Sequence, residues 1–245
     1  MFLVSRGRLR LVMAALAVVG GVGFATAFAF AVTNLNGHAT RAPQQRPAGI
    51  PADISTNLAA LMQLSPVPPV RAPGFTLTDQ YGRAVSLADF RGKAVVLTFM
   101  DSHCTDICPL TSREFIAAHH ELGADAAKVV FVAVNVNQFH LRIADVAAWS
   151  REQQLDSIGS WYFLTGPLSR LRAVWRSYDV TVIPRGKNGD VIHAGLVYYI
   201  DPRGTERYVS VSMADHTSKG AAYLPPGVLS GFARGIALLA RAVTG

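Results

Sequence analysis

The chain contains very little cysteine, and this scarcity limits what the cysteines can do. Only two of its 245 residues are cysteine, Cys104 and Cys108, and both lie in the stretch SHCTDICP. Two cysteines are too few for a disulfide framework, and a domain of ordinary size can bury a core without one. The two thiols are therefore candidates for redox chemistry or for holding a metal ion.

Acidic residues are absent from the first 50 positions, which carry five arginines. The remainder of the chain has 18 Lys and Arg residues against 16 Asp and Glu residues, so it is close to neutral although the whole chain has a net charge of +7. A nucleic-acid-binding domain would be expected to carry a basic patch of its own. The charge distribution therefore argues against nucleic acid as a partner.

Charged residues are also missing from positions 11–33, an apolar run long enough to span a bilayer as a helix. Three arginines precede the run, and the positive-inside rule then places residues 1–10 in the cytoplasm. A signal peptide is the alternative, because Ala-x-Ala sites are present. Both interpretations export the remaining chain. We expect a single-pass cell-membrane protein whose C-terminal domain lies on the extracytoplasmic side, periplasmic or outer, where oxidising conditions allow a disulfide.

The domain organisation follows from composition. Residues 34–71 are rich in Pro, Ala and polar residues, which is typical of a partly extended linker, and a short amphipathic helix is expected within it near residues 53–63. One domain of ordinary size is predicted over residues 72–245.

Strand and helix patterns alternate along this domain. FTLTDQYGRAVSLADF predicts a β-hairpin, and AVVLTFM and VVFVAVNVN are typical of buried strands. Helical periodicity follows in IADVAAWSREQQL, in PLSRLRAVWRSY and in GVLSGFARGIALLARAV, and GLVYYIDPRGTERYVSV predicts two strands joined by a turn. We therefore predict an α/β, thioredoxin-like fold, with a central sheet, flanking helices and an N-terminal β-hairpin, preceded by a single N-terminal transmembrane helix.

The cysteine stretch follows a predicted strand, and a helix is expected to begin near its second cysteine. Residues four apart lie on one helical face, so Cys104 and Cys108 can direct both sulfurs to one point. The helix dipole there lowers thiol pKa and favours thiolate. Thiolate serves disulfide exchange as well as a soft metal ion, and the spacing is compatible with both.

A third ligand would distinguish these uses, and the chain has seven histidines. His193 stands after a loop and just ahead of a buried strand, which in a thioredoxin-like sheet faces the cysteine turn. An ordinary loop or core histidine is the alternative. His103 is expected to point away from the cysteines, and His140 and His216 are expected in loops.

Two blocks of the sequence resemble the Sco (SenC) family of membrane-anchored copper proteins. APGFTLTDQYGRAVSLADFRGKAVVLTFMDSHCTDICPLT is similar in its hairpin, its L-x-D-F-R-G-K approach and its C-x-x-x-C-P turn. VIHAGLVYYIDPRG resembles the H-T-x-x-x-Y-L-x-x-P-x-G segment of that family. The resemblance spans roughly residues 72–209, and by position it implies that Cys104, Cys108 and His193 are the copper ligands. Asp106 matches an acidic residue common in that family, whereas Thr105 replaces its usual proline.

The resemblance also implies a function. It implies one copper ion per domain, as Cu(I), Cu(II) or both, and delivery of copper to, or thiol reduction of, the binuclear copper centre of cytochrome c oxidase. The copper-accepting subunit of the oxidase would be the partner, with other copper chaperones or thiol oxidoreductases as further candidates. His216 lies in A-D-H-T, which superficially resembles the D-H-T of the family, but no strand is expected after it, so it is not predicted to be a ligand.

Three alternatives to a copper chaperone remain. The first is an exported thiol–disulfide oxidoreductase in which Cys104 and Cys108 form the redox-active pair. The second is a thiol peroxidase, which is disfavoured because Leu97 and Asp101 occupy the positions of the Pro and Thr in the peroxiredoxin pattern. The third is a binding domain with a structural disulfide.

Overall fold

The centre of the fold is formed by two strands that are almost entirely apolar. The computed structural model describes residues 48–185 and 191–245. Within them, β4 (Ala94–Met100) and β5 (Val129–Asn135) are buried at every position. They pair in parallel, from Ala94 opposite Val129 to Met100 opposite Asn135. A strand buried on both faces needs such a continuous apolar run, so these two strands form the centre of the sheet.

Four further strands of the described residues belong to the central sheet, namely β1 (Ser65–Arg71), β6 (Trp161–Leu164), β9 (Leu196–Ile200) and β10 (Thr205–Val211). The strand order is β1-β10-β9-β4-β5-β6. The contacts of β5 with β4 and β6 are parallel, and the other three contacts are antiparallel. The described residues also form short two-stranded sheets outside the central one: β2 (Thr76–Thr78) with β3 (Ala84–Ser86), β7 (Val182–Pro184) with β8 (Val191–His193), and β11 (Asp215–His216) with β12 (Ala222–Tyr223).

Helices cover both faces of the sheet because successive strand side chains point to opposite sides. The helices are α1 (Thr56–Leu61), α2 (Ile107–Leu122), α3 (Ile143–Glu152), α4 (Leu168–Ser177) and α5 (Val228–Thr244). Side chains such as Val96 and Phe131 lie in one apolar core with α2 and α5. Leu97 and Val132 lie in a second core with α4 and the β2–β3 hairpin. This arrangement confirms the predicted thioredoxin-like α/β fold and its N-terminal hairpin.

The ordered sheet begins earlier in the chain than residue 72. The proline-rich segment SPVPPVR forms β1, which pairs with β10 at the edge of the sheet. Proline removes a backbone donor, so it is tolerated on an edge strand but not in the middle of a sheet. The expected short helix is also present, as α1, where Ser55 caps the first turn by accepting a hydrogen bond from Leu58 N–H. Residues 56–71 of the predicted linker therefore contain a helix and a strand.

One part of the fold prediction has to be corrected, namely the single transmembrane helix. No helix in residues 48–185 and 191–245 is long and apolar enough to cross a membrane. The predicted cytoplasmic terminus at 1–10 and anchor at 11–33 lie outside the described residues. The predicted location as a single-pass cell-membrane protein with an extracytoplasmic domain is corrected with it.

Candidate metal centre

The two cysteines lie in the turn between β4 and α2. The helix begins at Ile107, directly before Cys108, as the sequence predicts. Both thiols are free and buried, and the backbone N–H of Cys108 donates a hydrogen bond of 3.4 Å to Cys104 Sγ. The turn thus holds the two residues against each other at the end of the central strand.

The two thiols differ in acidity because each affects the other. A hydrogen bond from Cys108 holds the pKa of the Cys104 thiol below its ordinary value, although burial opposes this shift. The same hydrogen bond, together with complete burial, raises the pKa of Cys108 well above its ordinary value. The helix dipole is expected to lower the pKa of both thiols, but only the pKa of Cys104 is lowered in the structure. Cys104 is therefore the thiol that ionises first.

Asp101, the first residue after β4, organises the turn from inside the protein. Its fully buried carboxylate accepts hydrogen bonds from the backbone N–H of His103 at 2.8 Å and from the Asn137 side-chain amide at 2.7 Å. The other carboxylate oxygen accepts one from Val191 N–H at 3.3 Å. A single side chain therefore connects the cysteine turn, the end of β5 and the start of β8.

His193 ends β8, two residues after the bond between Val191 and Asp101. Its Nδ1 lies 3.1 Å from the carbonyl oxygen of Ala194, which can only accept, so Nδ1 carries the proton and Nε2 keeps its lone pair. Burial lowers the pKa of the ring. His193 is consequently a neutral imidazole at neutral pH, the form that binds metal ions.

The three predicted ligands lie on segments that hydrogen bonds of Asp101 connect. Their donor atoms, however, do not lie close enough together to surround one ion. Among the described residues, one set of three potential ligands has donor atoms that all lie within 4.8 Å of one another, and it consists of His103, His140 and Asp145. Cys104, Cys108 and His193 do not form such a set. An ion bound by all three would require the His193 ring to move relative to the sulfurs.

The structure also brings His216 to the cysteine turn, contrary to expectation. His216 belongs to the short strand β11, and its Nε2 lies 2.8 Å from Oδ1 of Asp106. In the sequence, Asp106 stands between the two cysteines. Both side chains are about half exposed. The two residues are 110 positions apart, so local sequence patterns gave no signal for this contact. It makes His216 a neighbour of the turn, with no contact to either sulfur.

A thioredoxin-like sheet with two cysteines in the turn after its central strand defines a dithiol protein of the thioredoxin fold. Residues 67–221, well over half of the chain, match the SCO1/SenC family. The chain belongs to that family, which confirms the resemblance seen in the sequence.

Individual relatives are similar at modest identity. The bovine mitochondrial protein SCO2 homolog is 30% identical over 136 residues, which are 53% of this chain and 50% of that protein. The chain thus spans about half the length of the curated relatives it matches. Among solved structures, Arabidopsis thaliana ScoI with copper bound has a TM-score of 0.54 at 21% identity, covering 71% of this chain and 99% of that one.

A second solved structure is BsSco, described as a member of the Sco family of cytochrome c oxidase assembly proteins in which a disulfide switch was identified. It has a TM-score of 0.53 at 19% identity and covers 72% of this chain and 96% of its own. At these identities the structural similarities establish the fold.

Proposed function

We propose that this chain binds one copper ion through Cys104, Cys108 and His193 and delivers it to the binuclear copper centre of cytochrome c oxidase. The observation that carries the proposal is the cysteine turn, where Cys108 N–H contacts Cys104 Sγ and Asp101 links the turn to the strand of His193. Family membership supports the assignment, as does the copper bound in the similar Arabidopsis structure.

The donor set suits copper chemically. Two thiolates are soft ligands that select Cu(I), and a neutral imidazole adds the nitrogen that Cu(II) prefers. The hydrogen bond from Cys108 lowers the pKa of Cys104 and so favours the first thiolate, and an approaching cation would draw the proton from Cys108. A small set of protein ligands next to the surface residue Asp106 would allow the ion to pass to a partner, the copper-accepting subunit of the oxidase.

Copper titration of single variants tests the site. We expect Cys104→Ser and Cys108→Ser to lose stoichiometric binding of both Cu(I) and Cu(II), because each loses a thiolate. His193→Ala should keep part of its Cu(I) binding, since two thiolates suffice for a two-coordinate Cu(I) site, and should lose more of its Cu(II) binding. His216→Ala and His120→Ala, which alters an exposed histidine of α2, serve as controls. A His193→Ala protein that binds Cu(II) like wild type would overturn the ligand assignment.

One observation favours a second function, thiol–disulfide exchange. Cys104 has the lowered pKa of an attacking thiol, and Cys108 has the raised pKa of a buried resolving thiol. The Cys104 thiolate would attack a partner disulfide and release one partner thiolate. Cys108, after losing its proton, would then attack Cys104 and release the second. The partner gains two electrons, and this chain keeps a disulfide. Such activity should survive in His193→Ala, whereas the Cu(II) binding of this variant should fall.

A further inference from the structure

A cluster of potential metal ligands lies beside the cysteine turn, outside the site proposed above. His103, His140 and Asp145 each place a donor atom within 4.8 Å of the others'. The imidazole rings of His103 and His140 stack with centroids 3.4 Å apart and planes inclined by 21°. Three different segments supply these residues, namely the cysteine turn, the loop after β5 and the first turn of α3.

The backbones of both histidines are fixed, although their rings are accessible. The N–H of His103 is held by the buried Asp101 carboxylate. The carbonyl oxygen of His140 accepts a hydrogen bond of 2.7 Å from the side-chain amide of Asn135. His103 is exposed and His140 is half-buried. The fold therefore presents two imidazoles at a defined place on the surface, where Nδ1 of His103 lies 3.3 Å from Ser102 Oγ.

Asp145 supplies a buried carboxylate that is already oriented. Its Oδ2 accepts hydrogen bonds from Arg142 N and Nε, and its Oδ1 accepts one from Arg142 Nη2 at 2.7 Å. A carboxylate offers about four lone-pair positions, so one on Oδ1 remains available. Carboxylates that ligate metal ions are themselves held by hydrogen bonds, and Arg142 supplies such bonds to Asp145.

A cleft of about 470 Å³ lies at this cluster, and its lining includes His103, Asp145 and Cys104. An ion held by His103 and Asp145 would therefore share a cleft with one of the two cysteines.

We propose that His103, His140 and Asp145 form a second metal site, which takes Cu(II) in preference to other divalent first-row ions. Two imidazole nitrogens and one carboxylate oxygen are ligands that suit Cu(II), and the stability order of such complexes peaks at copper. Stacked rings cannot both direct lone pairs at one ion, so the exposed His103 ring turns about its side-chain bonds when the ion binds. The site does not depend on the function proposed above, since it uses none of the same ligands.

The test uses a full-length chain that lacks the first site. Cys104→Ser, Cys108→Ser and His193→Ala are combined, and the triple variant is titrated with Cu²⁺ against glycine as a competing ligand. We expect one equivalent to bind, with an electron paramagnetic resonance spectrum that shows nitrogen coordination. Adding either His140→Asn or His103→Asn should weaken binding roughly tenfold or more, since even supporting residues of metal sites change affinity by about 10–100-fold.

His120→Asn in the same triple variant is the matched control, because it removes an exposed histidine of α2 that is not part of the cluster. It should leave the affinity for Cu²⁺ unchanged. Circular dichroism establishes that each variant is folded. The proposal is overturned if the triple variant binds no stoichiometric Cu²⁺, or if His140→Asn and His103→Asn bind it as tightly as the His120→Asn control. Neither result bears on the copper site proposed above, because its three ligands are replaced in every protein of this experiment.

Discussion

The side-chain amide of Asn137 donates a hydrogen bond of 2.7 Å to the buried carboxylate of Asp101. Asp101 follows the end of β4, and Asn137 lies two residues beyond the end of β5. Among the described residues the carboxylate has no ion-pair partner, and its charge is balanced by hydrogen bonds from Asn137, His103 and Val191. This buried acid thus helps to set the position of the cysteine turn relative to the strand of His193.

Replacing Asp101 by Asn should therefore disturb the copper site without removing a ligand. The amide keeps one acceptor oxygen and replaces the other with an NH₂ group, so at least one bond is lost, to Val191 or to the pair His103 and Asn137. We expect the free energy of unfolding to fall by about 1–3 kcal/mol. The affinity for Cu(II) should fall as well, because His193 is held less firmly.

Denaturant titration and copper titration of the same samples test this prediction. The matched control is Asp156→Asn, which changes an exposed aspartate and should leave both quantities within error of wild type. If Asp101→Asn lowered stability but left Cu(II) affinity and absorption unchanged, Asp101 would have no role in positioning His193.

The sequence predicted those features that depend on neighbouring residues. The apolar runs of β4 and β5, the helix that begins beside Cys108 and the position of His193 ahead of a buried strand all follow from local patterns. The edge strand β1 was missed, because its prolines are typical of a linker and only its pairing with β10 shows otherwise.

Contacts between distant positions could not be predicted in this way. In the sequence Asp101 differs from the threonine of the peroxiredoxin pattern, but its hydrogen-bond partners Asn137 and Val191 are 36 and 90 positions away. The contact between His216 and Asp106 spans 110 positions. No local sequence pattern indicates such pairs. The hydrogen bonds that position the candidate site are therefore visible only in the folded structure.

Gly195 offers a second way to disturb the site indirectly. It lies two residues after His193, and a Cβ atom added there would be 2.9 Å from the backbone carbonyl oxygen of Ser212. Gly195 also accepts a hydrogen bond of 2.8 Å from Ser212 N–H, so the two backbones cannot separate without losing it. We expect Gly195→Ala to lower the free energy of unfolding by about 1–3 kcal/mol and to weaken Cu(II) binding.

Thermal unfolding and Cu(II) titration measure these effects. The control is Gly159→Ala, since a Cβ at that position meets no atom within 4 Å, and its copper affinity should match wild type. If Gly195→Ala bound Cu(II) with wild-type affinity, the added Cβ atom would not displace His193 enough to affect the copper site.

The metal-free chain should form an intramolecular disulfide between Cys104 and Cys108 under mild oxidation. The two residues are one helical turn apart and already in contact through Cys108 N–H and Cys104 Sγ, and the lowered pKa of Cys104 supplies the reactive thiolate. The oxidised form should bind Cu(I) poorly, because it has no free thiolate. Thiol counting and intact mass report the disulfide, and Cu(I) competition reports binding. Equal Cu(I) affinity of oxidised and reduced chains would contradict a dithiolate site.

Glu114 in α2 is a buried acid with an unusual environment. Its Oε2 accepts a hydrogen bond of 3.1 Å from Ser212 Oγ, and its Oε1 has no partner among the described residues. Burial raises the pKa of Tyr199 in β9, and the charge of Glu114 contributes to this shift. Burial raises the pKa of Glu114 from 4.5 to about 8. The carboxyl is therefore protonated in the folded protein near neutral pH and ionised in the unfolded chain.

This difference predicts how stability depends on pH. Between pH values of about 4.5 and 8 the folded state retains a proton that the unfolded state has released, so the free energy of unfolding falls as pH rises, by up to about 1.4 kcal/mol per pH unit. Glu114→Gln has no such proton, so its stability relative to wild type should increase steadily from pH 5 to pH 8. Urea unfolding of both proteins at pH 5, 6.5 and 8 measures this, with the exposed Glu152→Gln as control. A difference between wild type and Glu114→Gln that stays constant across these pH values would show that the buried carboxyl ionises at its ordinary pKa.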